Sequence, residues 1–108
     1  MFAVLVSMTA LAGPVGGPQI GQGVSLPKTY QSFVLVLQEG VQTIFNVSGS
    51  GQGDIDCIVS DQNGNLVGAD GRSVDGCLIV VQPVWTGPFI LRIINSGDRA
   101  SAYVFLVN

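Results

Sequence analysis

The sequence predicts an all-β protein, an antiparallel β-sandwich of jelly-roll-like form with about seven to eight strands. Three observations carry that prediction. Apolar residues gather in short runs rich in Val, Ile, Phe and Tyr, the side chains that fit a pleated sheet. No window sustains a helical repeat of 3.6 residues for more than about two turns. Clusters of Gly, Asn, Asp and Ser separate the runs, and these residues supply turn conformations and side-chain bonds to the local backbone.

Taken in order, Ser32 to Gln38 (SFVLVLQ) is the first strand, and Glu39-Gly40 is expected to turn it directly into Val41 to Val47, giving a hairpin. Ser48 to Gly53 (SGSGQG) is a connector, and Ile55 to Ser60 is a strand of alternating character. Asp61 to Asn65 then turns the chain into Leu66-Val67, because Asn63-Gly64 between apolar runs is the strongest short hairpin signal. Cys77 to Gln82 is the next strand, closed by Pro83, which has no amide to donate. Phe89 to Ile94 and Ala102 to Val107 complete the set, with a turn at Asn95-Ser96-Gly97-Asp98 between them. Residues 13–27 (GPVGGPQIGQGVSLP) have no period and read as a Gly/Pro-rich lead-in, so the sandwich is expected over residues 28–108.

A chain of 108 residues and 11.2 kDa is one domain. Its net charge is -3, it has no histidine, and Lys28, Arg72, Arg92 and Arg99 are scattered, which argues against a nucleic-acid-binding surface. Only 10% of residues are charged, where about a quarter is usual. Such a surface fits an extracellular domain or a subunit whose faces are covered by neighbours.

The first twelve residues, MFAVLVSMTALA, end in the small-x-small pattern Ala10-Leu11-Ala12 before Gly13-Pro14, as in the apolar and cleavage regions of a secretory signal peptide. No Lys or Arg precedes Lys28, so the basic start of such a peptide is missing, and an N-terminal β-strand is the alternative. The stretch is too short to span a bilayer, which takes roughly 20 apolar residues. Cys57 and Cys77 are the only cysteines. In an exported chain they are expected to pair as a disulfide, with buried free thiols as the alternative. Two thiols without histidine leave a zinc shell half filled and a nucleophilic cysteine without its usual base.

The segment from Gly53 to Cys77 is the one stretch dense in oxygen ligands, with Asp54, Asp56, Asp61, Asp70 and Asp75 among Asn63, Asn65 and several glycines. Asp54 and Asp56, two apart, could share a calcium ion with Asp61 or Asp70 across the turn. The other reading makes Asp61, Asn63 and Asn65 turn formers that cap their own backbone. Asp54 and Asp56 as an acid-base pair would need a cleft between facing carboxylates, which a filled sandwich does not offer, so no enzyme is expected. Trp85 is either a platform in a carbohydrate-binding surface or a core residue packed under the sandwich edge.

From Leu37 onward the order of features resembles the bacterial pre-peptidase C-terminal domain. The carriers are Leu37-Gln38-Glu39-Gly40 before Phe45-Asn46-Val47, then Gly53-Asp54-Ile55-Asp56, then Trp85-Thr86-Gly87-Pro88-Phe89-Ile90-Leu91-Arg92-Ile93, and a last strand with Tyr103. The chain has Cys57-Ile58-Val59 where that family has Leu-Tyr-Val. The resemblance implies a small exported jelly-roll-like sandwich. The expected role is non-catalytic binding of an extracellular protein or polysaccharide by a secreted or cell-surface bacterial module, calcium being the one cofactor the residues suggest. The competing expectation is a self-associating subunit of a filament or surface layer, with Phe2 to Leu11 as a strand between subunits.

Overall fold

The structure, a computed structural model, describes residues 13–71 and 75–108. The expectations placed on residues 1–12 and on Arg72 lie outside the described residues. Eight strands follow one another: β1 (Gln19–Ser25), β2 (Thr29–Leu37), β3 (Thr43–Gly49), β4 (Ile55–Asp61), β5 (Leu66–Asp70), β6 (Gly76–Val81), β7 (Gly87–Asn95) and β8 (Ser101–Val107). They form two four-stranded antiparallel sheets, ordered β1-β8-β3-β6 (the β1 sheet) and β2-β7-β4-β5 (the β2 sheet). The expected sandwich is therefore present, and its strand order is that of a jelly roll.

The pairings β4 with β5, β3 with β6, β2 with β7 and β1 with β8 are nested, so the chain is one long ribbon doubled back at a single turn and rolled up. That turn is the Asn63-Gly64 hairpin read from the sequence. Asp61 holds it: its Oδ1 accepts the amides of Asn63 and Asn65 at 2.8 and 2.9 Å, and its Oδ2 accepts the Asn65 side-chain amide at 3.0 Å. Gly64 takes a φ of 84°, in the left-handed region that glycine occupies without strain. Burial pushes the Asp61 carboxyl up, but the backbone and side-chain donors of Asn65, with the amides of Asn63 and Gly64, outweigh it and hold the group below its usual range.

The ribbon crosses between the sheets at three places, and at each the two connectors running side by side are tied together. The Gly40 amide donates to the Pro83 carbonyl at 2.8 Å, and the Glu39 amide to Thr86 Oγ1 at 2.9 Å. The Gly49 amide donates to the Asp75 carbonyl at 2.9 Å, while the Asp75 carboxylate accepts the amides of Gly51 and Ile55. At the outermost crossing the buried Asn95 side chain accepts the Asp54 and Gly97 amides and donates to the Ser25 and Arg99 carbonyls. Lys28 adds a bond to the Ser96 carbonyl at 2.6 Å and an exposed ion pair with Asp98.

Two sequence expectations change here. Glu39-Gly40 does not close a hairpin: β2 and β3 lie in different sheets, and Gly40 bonds to the β6–β7 connector. A local turn motif cannot tell a hairpin from a ribbon crossing, since both need the chain to reverse. The lead-in over residues 13–27 contains β1, paired along its whole length with β8. Its glycines hid it, and packing explains them. A Cβ on Gly21 would lie 2.4 Å from the Phe105 ring, and one on Gly23 would lie 2.6 Å from the Tyr103 hydroxyl. The aromatic side chains fill the space that strand side chains would take.

The core lies between the sheets and is built from the alternate positions of each strand, among them Leu37, Phe45, Val47, Ile55, Val59, Phe89, Leu91, Ile93 and Val107. Cys57 on β4 and Cys77 on β6 form a disulfide through this core, tying one sheet to the other across 20 residues. Replacing both by Ala should lower unfolding free energy by about 3 kcal/mol in the chain-entropy account, read as a lower urea midpoint. An unchanged midpoint would mean that the core alone sets the spacing of the sheets. Asp61→Asn should lower the melting temperature near neutral pH. Because the folded-state pKa is depressed, the stability from Asp61 is present above the unfolded value and lost as pH falls through the folded one. The gap between wild type and variant should therefore narrow below about pH 4; a gap constant through that range would exclude a contribution from the charge.

Candidate interaction surface

The four carboxylates expected to share an ion do not form one site. Strand parity separates them: along β4, Ile55, Cys57, Val59 and Asp61 point into the sandwich, whereas Asp56 points out from the β2 sheet. Asp61 is 1% exposed and committed to its turn. Asp70, also inward and opposite Cys57, accepts the Leu78 amide at 2.8 Å on the edge of β6. Asp56 accepts the Ser96 hydroxyl at 2.8 Å, and Asp54 contributes its backbone to Asn95 and Ser96. Among the described residues no group of three or more His, Cys, Asp or Glu is placed to hold a metal ion. The acidic segment serves turns and crossings. Asp75, absent from the expected ligand set, is the carboxylate that ties the second crossing, and only its position between paired connectors identifies it.

Trp85 stacks on Phe89 with ring centroids 5.9 Å apart and is partly buried against the core. A cavity of about 160 Å³ beside it is lined mostly by Val67, Val80, Val81, Pro83 and Val84. The indole therefore packs against the edge of the core, with one side bordering that cavity.

The outer faces of the two sheets differ in charge. On the β2 sheet, the exposed Tyr30, Val34 and Val36 are accompanied by Asp56 and by Arg92, whose guanidinium lies 4.5 Å above the Tyr30 ring. Among the described residues, the strands of the β1 sheet put no charged side chain on its outer face, and Asp75, just before β6, lies at its end. One row across it reads Ile20, Leu106, Asn46, Leu78, and the next reads Gln22, Val104, Ser48, Gly76. Val24 with Ala102 and Ile44 with Val80 extend it. Ile20 is 76% exposed, and Val24, Leu78 and Val80 are each more than half exposed. A shallow groove of about 440 Å³ runs across this face, where Ala102, Ser48, Gly49 and Ser50 are small between Val24 and Val104.

Contiguous exposed apolar surface of this kind marks interaction sites in soluble proteins. The sequence held the signal without its meaning being visible. Runs such as Leu78-Ile79-Val80-Val81 are apolar at every position, yet a sandwich strand buries only every second one.

No protein-family model matches the sequence, and no curated protein matches it. Solved structures do share its architecture. PliG from Aeromonas hydrophila, a periplasmic lysozyme inhibitor of g-type lysozyme, superposes with a TM-score of 0.60 at 12% identity, covering 92% of this chain and 93% of that one. PliG from Salmonella Typhimurium, also a periplasmic inhibitor of g-type lysozyme, gives a TM-score of 0.54 at 14% identity, over 92% of this chain and 96% of that one. At such identities the likeness is one of fold: this chain is a two-sheet β-sandwich of the architecture seen in PliG.

Proposed function

We propose that this chain is an exported, non-catalytic β-sandwich module that works by binding protein, with the outer face of the β1 sheet as its binding surface. The uncharged apolar face carries the reading, because so much exposed Val, Leu and Ile on one side of a small domain is stable in solution chiefly when another surface covers it. Three observations support export. The Cys57–Cys77 disulfide needs an oxidising compartment to persist. The apolar start of the chain has signal-peptide character. Both PliG structures are of periplasmic proteins.

Their described role, inhibition of a g-type lysozyme, supports a protein partner over a polysaccharide one, and so does a face with no aromatic platform.

A photo-activated cross-linking residue tests the reading in the native compartment. Placed at Val104 it should capture protein, identified by mass spectrometry, whereas at Val34 on the other sheet's outer face it should capture little. Equal yields at the two positions would remove the β1 sheet as the binding surface. Recovery of the mature protein from the cytoplasm with both thiols free would remove export.

A further inference from the structure

We infer that the occupant of the β1 sheet's outer face is a second copy of this chain, stacked face to face about a two-fold axis. The inference rests on the reading that this face binds protein, and it adds the identity of the partner.

Charge is the first argument. Among the described residues, the charged side chains lie in connectors (Lys28, Glu39, Asp54, Asp75, Asp98, Arg99), on the other sheet's outer face (Asp56, Arg92) or inside the fold (Asp61, Asp70); Asp75, at the end of the β1 sheet's face beside Asn46, Ser48 and Leu78, has its carboxylate held by the Gly51 and Ile55 amides. A copy of a net acidic protein would ordinarily be repelled, but none of the four strands of the β1 sheet carries a charged side chain, so the body of the face brings no like charges together. A foreign partner chosen for specificity would more often be met by charges that steer it.

The second argument is Asn46. It lies on the interior strand β3, exposed, between Leu106 and Leu78 in the most apolar row of the face. Covered by an apolar surface, its amide would lose water without replacement and oppose association. An amide carries both donor and acceptor, so Asn46 is satisfied by another Asn46 across a two-fold axis, which also fixes the register of the two faces.

Size is the third argument. Four strands spaced about 4.8 Å apart and six or seven residues long present roughly 450 Å² in projection, with more in accessible area because side chains stand off the sheet. That projection is a little over half of the roughly 800 Å² per partner of a stable interface, the standing side chains and flanking connectors adding the rest, and aligned packing of two twisted sheets is an established geometry.

Light scattering or sedimentation of the full chain over a concentration series provides the test. Wild type should reach twice the chain mass of 11.2 kDa. Asn46→Asp, nearly isosteric, sets like charges against each other and should weaken the dimer about tenfold or more at neutral pH. Val104→Lys should do the same, and Val34→Lys should leave the dimer intact, with circular dichroism confirming that each variant is folded. A wild type that stays monomeric throughout would overturn the inference; the binding surface itself would survive if cross-linking from Val104 captured a different protein. A dimer untouched by both Asn46→Asp and Val104→Lys would also overturn it, by placing the contact elsewhere.

Discussion

The turn gathered around Asp61 sets the pairing of every other strand. Because the strands are nested, pairing β4 with β5 brings β3 beside β6, then β2 beside β7 and β1 beside β8. A slip of one residue between β4 and β5 would turn inward residues of that pair outward, since side chains alternate with a period of two, and the register shift between Val59 and Ser60 absorbs one such step beside the turn. Three carboxylate bonds to turn amides, and a glycine able to take a positive φ, hold that register where the chain is most local. The Cys57–Cys77 bond then fastens the innermost ribbon across to the other sheet. Only β4 and β5 are joined within one sheet, so the remaining pairings are long-range and carry the loop-closure cost of that topology.

A rolled ribbon must bend at each crossing, and there backbone amides leave the ladder. They still need acceptors when buried. Asp75 and Asn95 supply them at two crossings, and neighbouring glycines make the room: a Cβ on Gly49 would lie 2.4 Å from the Asp75 carboxylate, and one on Gly53 would lie 2.7 Å from Ser101 Cβ and 3.0 Å from Asn95 Oδ1. The density of Asp, Asn and Gly between residues 53 and 77 thus follows from the geometry of a doubled ribbon. The same residue types would suit a calcium loop, but alternation along β4 places Asp56 on the opposite side of the sheet from Asp61.

Much of this fold was legible because its strands alternate and its central turn has an Asn-Gly sequence. What was not legible depended on residues distant in the chain. Gly21 and Gly23 count against a strand until Phe105 and Tyr103 are known to lie over them. Glu39-Gly40 carries the composition of a hairpin, and only its bond to Pro83, more than forty positions away, shows that it is a crossing. Trp85 gave no hint of Phe89 beneath it beyond the spacing of four residues. The exposed apolar face was hardest to see, because a residue such as Leu78 differs from its buried neighbour Ile79 only in the direction it points.

That direction gives the low charge content a structural meaning. With one residue in ten charged, a sandwich has too few charges to cover both outer faces. Here they are spread unevenly: Arg92 and Asp56 lie on the β2 sheet, where Arg92 also covers the Tyr30 ring, and the four strands of the β1 sheet carry none. Even spacing would have left each apolar patch small and separately hydrated. Concentrating charge on one side leaves the other continuous, so removing it from water yields a free energy that scattered residues could not supply in a single contact. The asymmetry costs solubility if the face stays bare. It is therefore consistent with a surface that spends its working life covered.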